Sequence, residues 1–161
     1  VAAATDSFKN SIRYQQIKSM DIMGEKKGIF FTRQTTKVET LERGVHHWFS
    51  RPDLTKSEDL IVVRVDVEPG GGHPFHIHPE MDEVIYILSG QAEQWIEKNK
   101  KNLKAGESVY IPKKMVHATF NESGEPLSFL AILGPAADLE GSMVYVDSEQ
   151  PWRSLKNEHG A

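Results

Sequence analysis

The clearest pattern in the chain is the alternation over residues 60–67. Ile61, Val63, Val65 and Val67 fall on one face and Arg64 and Asp66 on the other, which predicts a half-buried β-strand. Shorter apolar or β-branched runs recur at 45–49, 83–88, 91–97, 108–111, 116–120 and 128–133, with Gly44, Ser89-Gly90, Gly106 and Pro112 as turn signals. Such a succession predicts an all-β barrel or sandwich. Residues 68–72 read as a glycine-rich loop that also carries His73, and 98–102 as a solvated hairpin turn. Upstream, Thr5 or Asp6 can cap a short helix over 5–20, and 28–32 read as an outer strand or an arm against a neighbouring subunit. Downstream, 136–141 read as one helical turn, and 143–147 with Trp152 as an apolar strand and anchor covering the barrel's end or a dimer contact. The expected organisation is an N-terminal arm or helix over 1–44, a barrel over 45–135, and a C-terminal strand and tail over 136–161 in the same domain.

The chemistry concentrates around His76 and His78. Two residues apart on an extended segment, they point the same way and form a chelating pair. Glu83 opens the next strand in line with Ile85 and Ile87, where an unpaired carboxylate would be costly to bury and a cation would resolve that cost. His117, in the run 116–120, completes a set of three imidazoles and one carboxylate if its strand crosses beside the first two. Singly, each histidine reads as an ordinary surface or core group; the joint pattern carries the assignment. The adjacent pair His46 and His47 must face opposite ways on a strand and is read as non-ligating.

These residues resemble the cupin superfamily of small β-barrels. Its first motif, Gly-x5-His-x-His-x4-Glu-x6-Gly, is matched by Gly70, His76, His78, Glu83 and Gly90. Its second, Gly-x5-Pro-x-Gly-x2-His-x3-Asn, is matched by Gly106, Pro112, His117 and Asn121, with Lys114 in place of the inner glycine. The resemblance implies a single double-stranded β-helix, or jelly-roll, barrel with His76, His78, Glu83 and His117 as metal ligands. It also implies a homodimer. It says little about the reaction, because one fold hosts many chemistries.

Composition narrows the classes. A chain of 161 residues suits one domain, and a formal charge of −4 with scattered lysines offers no basic field for nucleic acid. No apolar run suits a membrane span, so a soluble protein is expected. The absence of cysteine excludes disulfides and thiolate ligands and leaves the compartment open. The opening Val1-Ala2-Ala3 fits either a removed targeting peptide or a chain boundary; cytoplasmic is the default, with an exported mature protein as the alternative.

With nitrogen and oxygen donors only, the expected cofactor is one divalent transition metal, iron or manganese ahead of zinc, nickel or copper. The expected function is a small-molecule metalloenzyme, first an oxygenase of dioxygenase type acting on a small anionic or enolic substrate. The alternatives are a non-redox isomerase, lyase or cyclase, in which Tyr86, Tyr110 or His73 would move protons, and a non-catalytic binding protein.

Overall fold

The computed structural model of the chain describes residues 28–136 and 141–157. Two compact units divide the chain, 1–30 and 31–161, and every described strand and helix belongs to the second. The helix expected over 5–20 lies outside the described residues, as does most of the turn expected over 136–141. Residues 28–32 are irregular rather than a strand: Ile29 and Phe30 are exposed and pair with nothing among the described residues.

The elements run β1 (Lys37–Leu41), β2 (Gly44–Ser50), α1 (Pro52–Thr55), β3 (Ile61–Val67), β4 (Gly72–Ile77), β5 (Asp82–Ser89) and β6 (Gln91–Ile96). They continue with β7 (Asn99–Lys104), β8 (Ser108–Ile111), β9 (His117–Phe120), β10 (Leu127–Gly134), β11 (Val144–Tyr145) and α2 (Trp152–Asn157). One sheet has the order β1-β2-β3-β10-β5-β8 and the other β11-β4-β9-β6-β7, and every pairing is antiparallel. This is an all-β fold of two sheets, as the succession of short strands predicts, in the jelly-roll form that the resemblance to cupins implies.

The alternation seen in residues 60–67 becomes the burial pattern of β3, with Ile61, Val63, Val65 and Val67 inside. Opposite them on β10 lie Leu133, Ala131, Phe129 and Leu127. Together with Ile85, Ile87 and Ile111 these form the main core, each fully buried large side chain contributing about 1.5–3 kcal/mol. A second cluster lies on the opposite face of the β4-β9-β6 strands, where Phe75, Trp95 and Phe120 pack with Ala118 and Trp152. Trp152 and Leu155 of α2 therefore cover this sheet, and Phe75, Trp95 and Phe120 are structural rather than pocket residues.

Two local expectations need correction. The segment 98–102 is not a turn: β6 and β7 meet through Glu97 and Lys98 alone, and 99–104 pair with 91–96 in full register. Glu97 takes a φ of 52° to make that short reversal. The strand is hidden in the sequence because only Leu103 of its six residues is buried. Likewise His73 lies on β4 rather than in a loop. Gly72, at φ +154°, lets β4 begin hard against β9, since a Cβ there would lie 2.5 Å from the Thr119 carbonyl oxygen. Gly90, at φ +78°, plays the same part between β5 and β6, where a Cβ would lie 2.5 Å from the Pro126 carbonyl oxygen.

Candidate metal centre

His76 is on β4 and His78 one residue past its end, Glu83 is the second residue of β5, and His117 is the first of β9. Strand pairing sets His76 directly opposite His117. The ligand atoms of all four side chains lie within 4.8 Å of one another, and all four residues are buried. The structure thus brings together the four residues singled out from the sequence.

Backbone acceptors set the chemistry of the three rings. His76 Nδ1 is 2.6 Å from the Pro74 carbonyl oxygen, His78 Nδ1 2.6 Å from that of Ser142, and His117 Nδ1 3.0 Å from that of Met115. A carbonyl only accepts, so each Nδ1 carries the proton, and in the neutral ring Nε2 presents a lone pair. These Nε2 atoms converge on the Glu83 carboxylate: that of His117 is 2.9 Å and that of His78 3.5 Å from Oε2. His78 Nε2, His117 Nε2 and Glu83 Oε2 are nonetheless buried without a hydrogen bond. Lone pairs facing a buried carboxylate are stable only with a proton or a cation between them. The donor set of three nitrogens and a carboxylate oxygen fits a divalent transition metal.

The electrostatics agree. Burial alone would raise the Glu83 carboxyl, but the His117 and His78 rings facing it outweigh burial and hold the acid well below the usual carboxylate range. Burial would lower His78, and the Glu83 carboxylate reverses this and raises it. His76 is pushed far down by burial and the neighbouring His117. Without metal the Glu83 carboxylate thus stays ionised and the proton facing it is favoured on the His78 imidazole, so a metal would compete with that proton for one place.

The cluster opens on a cavity of about 110 Å³. Its walls are mostly apolar, with Ile61, Val63, Val65, Phe129 and Leu133 from β3 and β10, and none of the described lining residues is lysine or arginine. Trp48 also lines it, pinned by its Nε1–H to Glu39 at 2.7 Å and by Arg51 stacked 4.5 Å over the ring. Ser142 and Met143 close one side, and β11 holds this segment against β4 by pairing Tyr145 with His76.

His73 also lines the cavity, where burial drops its imidazole to about 4. A register shift between His73 and His76 explains its direction: three residues of β4 span two of β9, and the extra residue turns both rings to the interior. His46 and His47 face opposite ways as expected. His47 binds Arg64 and Asp66 outside, at 2.9 Å to each, while His46 is buried at the cavity wall. Tyr86 and Tyr110 are not brought to the site: both point outward, 41% and 59% exposed, and the Tyr110 hydroxyl donates to Asp82 at 2.9 Å. Sequence reasoning passed over His46, Trp48, Met81 and Phe129 as lining residues. The spacing of two between His46 and Trp48 was the available signal for a shared face.

A two-sheet jelly roll with this cluster at its inner wall is the cupin architecture, and residues 63–133 match the family model for the cupin domain. Over 75 residues it is 37% identical to germin-like protein subfamily 2 member 2 of Arabidopsis thaliana, covering 44% of this chain and 34% of that relative. The match therefore spans about a third of that relative's length. Among solved structures, the polyketide cyclase RemF from Streptomyces resistomycificus superposes with a TM-score of 0.63 at 19% identity, covering 81% of this chain and 94% of that one. A predicted oxalate decarboxylase from Thermotoga maritima superposes at 0.58 with 18% identity, covering 66% and 98%. At these identities the superpositions establish the fold alone.

Proposed function

We propose that this cupin is a small-molecule metalloenzyme with a divalent metal held by His76, His78, Glu83 and His117, and that its reaction is of the oxygenase type. The observation that carries the reading is the convergence of imidazole lone pairs and an unpartnered carboxylate oxygen at the wall of an apolar cavity. Iron or manganese there would supply a Lewis-acidic, redox-capable centre. The protein's share is to orient the three rings through backbone carbonyls, exclude bulk water with Val63, Val65 and Phe129, and seat an organic body beside the ligands.

Non-redox isomerase, lyase or cyclase chemistry is the second reading. It needs a side chain to carry protons, and with Tyr86 and Tyr110 facing outward only His73 of the three sequence candidates lines the cavity. That favours the oxygenase reading, with His73 as the proton carrier in the alternative. The activities named for the similar structures, a polyketide cyclase and a predicted oxalate decarboxylase, fall within the second reading.

The test is the metal content of untagged protein by mass spectrometry, followed by oxygen-uptake screens. Near-stoichiometric iron or manganese, with oxygen consumed on some enol or phenol, supports the proposal. Zinc or nickel with no oxygen uptake supports the second reading, and no metal under any loading condition overturns both. His76→Ala, His78→Ala and His117→Ala are each expected to abolish metal retention, checked by the same measurement.

A further inference from the structure

Beyond the four ligands, the cavity contains polar side chains that the proposed centre does not use. Thr119 is internally satisfied, its hydroxyl donating to Gln94 Oε1 at 2.8 Å. His46 and His73 are not. His46 Nδ1 lies 3.2 Å from the Gly44 carbonyl oxygen, which places the proton on Nδ1 and leaves Nε2 as an acceptor with no protein partner among the described residues. His73 Nε2 is buried with no hydrogen bond. The two rings are 5.5 Å apart, and His73 is 6.3 Å from His76, so the pair adjoins the metal cluster but lies outside its ligand set. Phe129 packs edge-on against His73 at 5.9 Å and Trp48 stacks on His46 at 5.8 Å, so both rings are held in place by aromatic neighbours.

From this geometry we infer that His46 and His73 form a second recognition point in the cavity, which binds a hydroxyl group of the substrate. This rests on the metalloenzyme reading for its use in catalysis, but not for its existence. A hydroxyl both donates and accepts: its O–H suits the fixed acceptor His46 Nε2, and its oxygen suits His73, whose tautomer no protein group constrains. A carboxylate has no proton for His46 and finds no lysine or arginine among the described lining residues. A plain hydrocarbon leaves both nitrogens unmatched in an apolar wall. The register shift that turns His73 inward fits a side chain aimed at a ligand, since bulges beside sites redirect side chains in this way. The substrate class that follows is a mostly apolar, ring-sized molecule with two oxygen functions, one towards the ligand cluster and one, a neutral hydroxyl, between His46 and His73.

The probes are phenol, toluene and benzoate, which share a ring and differ in the polar group, titrated by calorimetry into the full chain both metal-free and zinc-loaded. Phenol is expected to bind at least about tenfold more tightly than toluene or benzoate in the metal-free protein, because the discriminating hydrogen bonds come from the protein. In His46→Phe and His73→Phe that preference should fall to near unity with toluene binding retained, and His46→Gln and His73→Gln should keep part of it. Near-ultraviolet circular dichroism and retained toluene binding verify that each variant is folded. The inference is overturned if phenol shows no preference over toluene, if no probe binds, or if the preference survives both phenylalanine variants. A preference seen only with zinc also overturns it, by assigning the hydroxyl to the ion. Metal-binding failure alone leaves the metal-free arm intact, so the two readings fail separately.

Discussion

At the scale of single residues, two positions are held against their intrinsic preference. Lys114 sits at φ 68° where the family motif has glycine, and its N–H donates to the His78 carbonyl oxygen at 2.8 Å. The turn before His117 is therefore kept at the expense of left-handed backbone strain. Lys114→Gly should relieve that strain and raise stability by about 0.5–1 kcal/mol after the added unfolded-state entropy, read by urea denaturation. The second position is His73, neutral at the cavity wall with its folded value near 4, below the ordinary 6.5. Because the folded value is lowered, stability is complete above the ordinary value and is lost as pH falls from about 6.5 towards 4. Metal-free protein should lose about 2 kcal/mol through this group between pH 7 and pH 5, and His73→Phe should remove that share of the loss.

At the scale of elements, β4 is the piece whose placement decides the site. One side pairs with β9 and aligns His76 with His117, while the other pairs with β11. The β11 segment also supplies the Ser142 carbonyl that orients His78, and it is fastened by the Val146 N–H to the Phe75 carbonyl oxygen at 2.9 Å. Val146→Pro deletes that hydrogen bond without touching a ligand. Metal affinity should fall about 10–100-fold, the usual effect of losing a group that orients a ligand, while the remaining ligand set still binds. A chelator-competition titration measures it. Gly72→Ala tests the other end of β4: a Cβ 2.5 Å from the Thr119 carbonyl oxygen and 2.8 Å from the Phe120 Cα must push β4 away from β9. A loss of several kcal/mol is expected in denaturant unfolding.

For the molecule as a whole, the cluster is a tie between the two sheets. Glu83 belongs to the six-stranded sheet, and His76 and His117 to the five-stranded one. An ion bound there stabilises only the folded state, by about 2.7 kcal/mol when free metal exceeds the dissociation constant a hundredfold. For a chain of this size that corresponds to a rise of roughly 5–10 °C in melting temperature, reversed by chelator and absent in Glu83→Ala. The gain should shrink in mild acid, where a proton on His78 occupies a nitrogen donor that the metal needs.

The sequence by itself determined the parts that depend on local periodicity. The alternation of 60–67 states which face of β3 is buried, and the spacing of His76, His78, Glu83 and His117 singles out, before any strand is paired, four residues that the fold brings into one buried cluster. The outward direction of Tyr86 was equally legible, since it lies between Ile85 and Ile87, which face the core. Period two is a property of the extended backbone and needs no partner. Tertiary structure alone decided the rest. The register shift that turns His73 inward arises between β4 and β9, and the strand character of 99–104 comes from pairing with β6 rather than from its own polar residues. The carbonyl that fixes the His78 tautomer comes from Ser142, 64 residues along the chain. Register, burial and hydrogen-bond partners are relations between segments distant in sequence, and they exist only when the sheets close around a common core.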